Sequence, residues 1–207
     1  MARLVRFYKP YGVLSQFTTR DERPTLARYL DVPDVRCAGR LDFDSEGLLL
    51  LTDDGRLQSR IADPKHKLEK VYLAQVERAP VGEVPSEWRD ALERLRRGVA
   101  LRDGRSRVTF VEKLDAPPRL PPRDPPVVAH RAAASAWLRV GMVSGRNREV
   151  RRMLAAVGCP VLRLVRVRIG PFDLGDLAPG QFAIESVHLP TTPPKRDQAS
   201  SQPRRRR

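Results

Sequence analysis

The chain has 207 residues and 41% hydrophobic content, which is enough for one domain with a substantial core. It holds 39 Lys and Arg against 25 Asp and Glu, and this formal net charge of +14 favours a polyanion such as nucleic acid as the partner. No apolar run approaches the length of a membrane-spanning helix, and the N-terminus has no signal-type hydrophobic region. Cys37 and Cys159 are solitary, a pattern that excludes a zinc site, does not support a disulfide framework and favours a reducing cytoplasm.

Six segments have the apolar patterning that is typical of β-strands. They are residues 4–7, 47–52, 70–77, 107–112, 136–142 and 161–169. In the second segment, four consecutive leucines are followed by Asp53, Asp54 and Gly55, which predicts a buried strand that enters a turn.

Two further segments have the apolar spacing of amphipathic helices. The first begins near Pro85, ends at Gly98 and carries an apolar stripe of Trp88, Ala91, Leu92 and Leu95. The second ends at Gly158 and carries a stripe of Val150, Met153, Leu154 and Val157, with arginines on its other face. Strands separated by turns, with helices inserted at intervals, predict an α+β fold with a largely antiparallel sheet.

Two regions have the composition of irregular structure. Residues 115–126 contain six prolines, which predicts a long surface loop. Residues 191–207 have almost no apolar side chains, so we expect one domain over residues 1–190 followed by a disordered basic tail. Of the net charge, +5 lies in this tail and +9 in the rest of the chain, so the preference for nucleic acid does not depend on the tail.

The acidic stretch around Asp42 has several possible interpretations. Its acidic residues and Gly47 match positions of a calcium-binding EF-hand loop, but Asp53 stands where a bidentate Glu is needed, and four leucines replace the polar second half. Asp42 could be a turn or helix-cap carboxylate without chemistry. Asp42 and Asp44 could be the acid and base of a glycosidase, although +14 is an unusual charge for an enzyme of neutral sugars. The residues of this loop leave these alternatives open.

Five motifs stand in order between residues 3 and 188. They are Lys9-Pro10-Tyr11-Gly12-Val13; Gly39-Arg40-Leu41-Asp42 with Ser45, residues 47–52 and residues 54–55; Lys70-Val71-Tyr72; residues 145–153 (GRNREVRRM); and residues 162–170 (LRLVRVRIG). Together they resemble the motifs of the rRNA pseudouridine synthases of the small and large ribosomal subunits. Five ordered motifs are far more specific than one match.

The resemblance implies a pseudouridine synthase fold, with a mixed sheet in two lobes about a central cleft, and an isomerase of ribosomal RNA that needs no cofactor and no metal. It makes Asp42 the nucleophile, Arg151 the arginine that pairs with it and keeps it ionised, and Tyr72 the residue that stacks on the base and transfers a proton. Leu164, with Arg40 and Lys70, would form the substrate pocket. Candidate RNA contacts are Lys9, Arg146, Arg148, Arg152 and Arg166.

The sequence departs from the family pattern in two ways. Glu149 stands where Gln is usual, which removes any hydrogen bond that the amide would donate. The opening strand comes at once, so we expect no N-terminal RNA-binding domain, and the arginine-rich tail is a candidate source of RNA affinity. The resemblance implies 23S rRNA, or a large-subunit assembly intermediate, as partner of a monomeric protein. The alternative is a basic RNA-binding or ribosome-associated protein without catalysis.

Overall fold

A computed structural model describes residues 1–66, 68–77, 85–133 and 135–187 of the chain. Eleven strands run through these residues: β1 (Ala2–Lys9), β2 (Arg36–Cys37), β3 (Glu46–Thr52), β4 (Lys70–Glu77), β5 (Val99–Leu101), β6 (Gly104–Ser106), β7 (Phe110–Lys113), β8 (Ser135–Met142), β9 (Val161–Ile169), β10 (Phe172–Asp173) and β11 (Phe182–Val187). The α-helices within them are α1 (Gly55–Ala62), α2 (Pro85–Arg97), α3 (Ala129–Ala133) and α4 (Glu149–Ala156). Short 3₁₀ turns lie at Leu26–Arg28 and Pro64–His66.

Nine of these strands form one sheet, whose central path runs β11-β1-β3-β9-β4-β8-β7. β2 pairs with β3, β10 pairs with β9, and the remaining two strands, β5 and β6, form a separate hairpin. Each pairing in the sheet is antiparallel except that of β3 with β9, which is parallel over two residues. The predicted α+β fold with a largely antiparallel sheet is therefore confirmed.

The four leucines of β3 show why this strand has no polar alternation. Leu49 and Leu51 belong to the larger hydrophobic cluster, whereas Leu48 and Leu50 belong to a second one. Successive side chains of a strand point to opposite faces, so β3 is covered on both sides of the sheet. The strand itself therefore lies between the two hydrophobic clusters, and the acidic loop leads directly into it.

Parallel pairing of β3 with β9 depends on Gly47. A Cβ atom there would overlap the carbonyl oxygen of Arg166 and lie 2.8 Å from its backbone nitrogen. Gly47 also has a φ of +99°, which strains any residue with a Cβ. The close approach brings the start of β3, just after the acidic loop, against the middle of β9.

Most predicted elements are confirmed, two predictions need correction, and the strand β11 was not predicted. The strand predicted at residues 107–112 begins only at Phe110, although the Thr109 amide already donates to the Gly141 carbonyl of β8 at 2.8 Å. The predicted turn after β3 is the start of α1, where Asp54 Oδ1 accepts the Leu57 amide as an N-cap. β11 was not predicted, because its alternating apolar side chains face solvent at the sheet edge.

The proline-rich loop has no helix or strand, as predicted, but it is fastened to β9. Pro121 accepts from Arg163 Nη2 at 2.8 Å, and Arg123 Nη1 donates to the Leu162 carbonyl at 3.2 Å. The predicted basic tail, residues 191–207, lies outside the described residues. Across the described ranges, none of the helices combines the length and apolar character needed to cross a membrane.

Candidate active site

The acidic loop opens onto a cavity of about 350 Å³. Six parts of the fold build its wall: the loop between β2 and β3, the end of α1, the start of β4, the end of β8, the loop before α4 with the first turn of that helix, and the second half of β9. Of the residues singled out from the sequence, it is lined by Arg40, Asp42, Lys70, Tyr72, Arg146, Arg148, Arg151, Leu164 and Arg166. Lys9 and Arg152 do not line it.

The loop that carries Asp42 is fixed by hydrogen bonds to its backbone carbonyls. The backbone carbonyl oxygens of residues 40–44 each accept a hydrogen bond. Their donors, in order, are Arg166 Nη1 at 3.2 Å, Ser15 Oγ at 2.8 Å, the Ser45 amide at 3.1 Å, the Gly12 amide at 2.9 Å and Arg151 Nη2 at 2.6 Å. Four of the five donors come from distant parts of the chain, and the Ser45 amide closes a turn within the loop. Such a loop holds its side chain in place before any ligand arrives. Ser15 had no local sequence signal that marked it for this role.

The Asp42 carboxylate itself makes no ion pair within 4 Å to any residue that the structure describes. The expected bidentate pair with Arg151 is therefore not formed. Arg151 instead contacts the neighbouring acid, with Nε 3.5 Å from Asp44 Oδ2. Arg148 binds Asp44 bidentately, at 2.8 Å for each oxygen. Asp42 is half-buried at the cavity wall and carries a carboxylate without a protein partner among these residues.

The charges around the loop are positive on balance. Burial alone would raise the pKa of Asp44, but the hydrogen bonds from Arg148 and the charge of Arg151 hold it below its usual value. Burial lowers the pKa of Arg151, although an arginine stays protonated at neutral pH. Two cations thus share the single negative charge of Asp44. The remaining positive charge acts on Asp42, which interacts with both arginines.

Tyr72 and Leu164 form the less polar part of the wall. Tyr72 is 8% exposed and stands opposite Arg166 in the β4–β9 ladder, and Leu164 is 4% exposed. Lys70, at the start of β4, donates from Nζ to the Val143 carbonyl at 3.1 Å. Burial, and then the charge of Arg166, lowers the pKa of Lys70. An aromatic ring, an apolar side chain and cations in one cavity suit a nucleobase next to a phosphate.

Arg146 and Glu149 fasten the β5–β6 hairpin to α4. Arg146 donates to the Asp103 and Arg105 carbonyls, at 2.7 and 2.9 Å, and to the Glu149 carboxylate at 3.0 Å. Glu149 is 3% exposed and also accepts from Ser106 Oγ at 2.7 Å and from the Arg146 amide at 3.0 Å. Each of these contacts uses Glu149 as an acceptor, so a carboxylate serves here without the amide donor of the family's usual Gln.

The prediction that Lys9 contacts RNA is wrong. Lys9 is fully buried, and its Nζ donates to the carbonyls of Pro10 and Val13, at 2.9 and 2.7 Å. Arg166 is only 5% exposed and faces the cavity, with Nε bound to the Leu48 carbonyl at 2.8 Å, so it is part of the pocket wall and not an outer phosphate contact. Arg152 lies outside the cavity and binds Asp103 bidentately, at 2.7 and 2.9 Å.

The calcium and glycosidase alternatives do not fit this geometry. The acids that would form a calcium loop are bound to different arginines: Asp44 to Arg148 and Arg151, Glu46 to Arg163, and Asp53 to Arg3. A glycosidase acid needs a raised pKa, whereas the two arginines hold Asp44 ionised. Of the candidate carboxylates, Asp42 alone combines a cavity position with the lack of an ion-pair partner in the described chain.

Fold and site together define an RNA-modifying class of enzyme. The family model described as RNA pseudouridylate synthase matches residues 3–156, and the chain belongs to this family. It is therefore a pseudouridine synthase, an isomerase that converts uridine in RNA to pseudouridine.

Two highly similar relatives share one name within this family. The chain is 55% identical over 186 residues to ribosomal large subunit pseudouridine synthase E of Xanthomonas axonopodis pv. citri (strain 306), covering 89% of this chain and 94% of that protein. It is 48% identical over 180 residues to the protein of the same name in Vibrio parahaemolyticus serotype O3:K6, covering 87% and 72%. A crystal structure of a pseudouridylate synthase matches with a TM-score of 0.66 and 28% identity, covering 90% of this chain and 71% of that one.

Proposed function

We propose that the protein converts one uridine of large-subunit (23S) ribosomal RNA to pseudouridine, with Asp42 as nucleophile. The names of the relatives that match most of the chain support the substrate. Asp42 itself carries the proposal: a carboxylate free of protein partners in the described chain, on a loop held by five hydrogen bonds, at the wall of a cavity. The protein acts as a monomer in the cytoplasm.

The reaction moves a bond and a proton and leaves the composition of the nucleotide unchanged. The bond between N1 of the base and C1′ of the ribose breaks, the base turns, and C5 joins C1′. The proton on C5 leaves, and N1 gains one. No oxidant or reductant is consumed, so side chains that attack, hold and transfer a proton suffice.

Asp42 supplies the attack. A carboxylate adds either to C1′ of the sugar or to C6 of the base, and both require an ionised oxygen that no cation has fixed. Arg148 and Arg151 lie close enough to Asp42 to interact with it electrostatically, and neither pairs with it. The absence of a direct bidentate pair leaves both Asp42 oxygens free to meet the substrate.

Tyr72 and Leu164 hold the base. The target uridine must leave its stack, because its glycosidic bond cannot be reached inside a helix. Tyr72 stacks on the extruded base with its hydroxyl near C5, where it takes the proton, and Leu164 packs against the opposite side. Arg40, exposed at the rim, and Arg148 contact the flanking phosphates.

The test is the conversion of unmodified large-subunit rRNA, with pseudouridine mapped chemically. Asp42→Asn should abolish product while the protein still folds and binds RNA, because an amide is no nucleophile. Asp31→Asn, an exposed change elsewhere, should retain full activity. Product formed by Asp42→Asn would refute the mechanism, and no product from the unchanged protein on any rRNA would favour the non-catalytic RNA-binding alternative.

Arg151→Ala is the second arm of this experiment. It removes the donor to the Asp44 carbonyl, so the loop that presents Asp42 shifts. We expect turnover to fall roughly 100-fold, the cost of a catalytic group displaced by about 1 Å, and RNA binding to weaken only modestly. Equal losses of turnover and binding would show that Arg151 is a phosphate contact instead.

A further inference from the structure

A second cavity lies beside the active site and shares a wall with it. It has a volume of about 260 Å³ and is lined by Tyr11, Asp44, Arg123, Arg131, Arg151 and Leu162, with valines around them. Arg151 lines both cavities, so its side chain forms part of the wall between them. None of the residues given a role with the target base, Asp42, Tyr72 and Leu164, lines this second cavity.

Its floor is an arginine stacked on a tyrosine. The guanidinium carbon of Arg123 lies 4.4 Å from the centre of the Tyr11 ring, within the range of a cation–π contact. Arg123 Nε donates to the Pro125 carbonyl at 2.7 Å, and Nη1 donates to the Leu162 carbonyl at 3.2 Å. These two bonds hold the guanidinium in place. Its Nη2 atom donates to none of the residues that the structure describes.

The cavity is also positively charged. Arg131 pairs with Glu77, which cancels its charge. Asp44 in its wall is shared by Arg151 and by Arg148, which lines only the first cavity, so these three residues together carry one excess positive charge. Arg123 has no carboxylate within 4 Å in the described part of the chain, so it contributes a second.

We infer that this second cavity binds the nucleotide next to the target uridine, with its base against Tyr11 and Arg123. The phosphate that joins the two nucleotides lies near Arg148, which lines the first cavity and binds Asp44 in the wall of the second. Flat aromatic and guanidinium surfaces beside cations are how proteins hold unpaired nucleotides. The volume is somewhat below that of drug-sized ligand sites, which suits a single nucleotide. The inference rests on the proposed function and extends it to the neighbour of the modified base.

Binding is measured by the anisotropy of a fluorescein-labelled oligouridylate of about nine nucleotides, at fixed salt, with the full chain. Tyr11→Ala should weaken binding roughly 5- to 100-fold, the usual effect of losing one base stack. Tyr11→Phe keeps the ring and should bind like the unchanged protein. Phe182→Ala on β11 is the matched control, because Phe182 is also an accessible aromatic, 38% exposed, and lines neither cavity.

Arg123→Gln guards against a folding defect of Tyr11→Ala. It should weaken binding, because the guanidinium surface beside Tyr11 that holds the base is lost. Melting temperatures identify any variant that has unfolded. The inference is overturned if the unchanged protein does not bind the oligouridylate, or if the folded variants Tyr11→Ala and Arg123→Gln both bind it normally. It is also overturned if Phe182→Ala weakens binding as much as Tyr11→Ala does.

Pseudouridine formation on rRNA is followed in parallel. Normal product formation without a Tyr11-dependent loss of binding overturns this inference alone. Tyr11-dependent binding without product from the unchanged protein overturns the proposed function and leaves the second site standing.

Discussion

Two aspartates two residues apart have opposite environments in this protein. Asp44 is bound by Arg148 and Arg151, whereas Asp42 faces the cavity with no ion pair in the described chain. The division lets one carboxylate fix the loop and leaves the other available for chemistry. The sequence motif indicated Asp42 and Arg151 but could not show which acid the arginine contacts, because that depends on side-chain geometry within one short loop.

The titration of Lys9 should change the free energy of unfolding with pH. Burial lowers the pKa of Lys9 to about 7, although the charge of Glu46 opposes the shift. Between that value and the usual 10.5, the unfolded chain holds a proton that the native protein does not. The free energy of unfolding therefore gains a contribution that rises with pH across this window, by up to about 1.4 kcal/mol per pH unit.

The test compares the free energies of unfolding of the unchanged protein and of Lys9→Met, measured by urea unfolding between pH 7 and pH 9. The variant should be less stable overall, because the carbonyls of Pro10 and Val13 lose their donor. The difference in unfolding free energy, unchanged protein minus variant, should increase with pH. A difference that stays constant or falls would show that Lys9 keeps its proton in the native state.

At the scale of the element, the parallel contact of β3 with β9 depends on one glycine. Gly47→Ala should destabilise the protein by more than about 1 kcal/mol, because Gly47 has a positive φ and its missing Cβ would overlap Arg166. Gly55→Ala is the control. It has open space around it at the start of α1, so it should be neutral or stabilise by about 0.4–1 kcal/mol. Thermal or urea unfolding measures both, and equal effects would contradict the argument.

Elements with a long local pattern could be predicted, and elements without one could not. The leucines of β3 form a continuous apolar run and the apolar stripe of α4 is periodic, so the type and bounds of both elements followed closely. α1 was missed because Asp-Asp-Gly is common to turns and helix starts, and only Leu57 and Ile61 of this helix are buried. β2, β10 and the β5–β6 hairpin are two or three residues long, too short to show any period.

The site was predictable only as far as its motifs reach. The motifs indicated that Asp42, Tyr72 and Arg151 belong to one site, and all three line the same cavity. Lys9 stands in a motif as well, yet it is buried, because a lysine at a strand end can be enclosed when carbonyls satisfy its Nζ. Ser15 and the Arg146–Glu149 hub act through contacts between residues far apart in sequence, which no local pattern records.

For the whole molecule, the distribution of charge predicts that the basic tail contributes to RNA affinity and not to catalysis. Residues 191–207 carry +5 of the total of +14. A chain that ends at Pro190 should bind rRNA with a shallower salt dependence, with a slope lower by about 0.7–0.9 for each phosphate that the tail neutralises. Its turnover at saturating RNA should stay unchanged, because every residue of the proposed site precedes the cut. Affinity measured at several salt concentrations tests this, and an unaltered slope would show that the tail does not bind RNA.

The placement of β1 has a consequence for how the chain folds as it is synthesised. β1 lies inside the sheet, between β3 and β11, so the first strand receives its second neighbour only when the last one has formed. Likewise, the cavity needs β9, which pairs with β3 across more than a hundred residues. Pairings of such long range fold slowly. A nascent chain therefore has no complete site until β9 has left the ribosome, however early β3 and the loop of Asp42 have emerged.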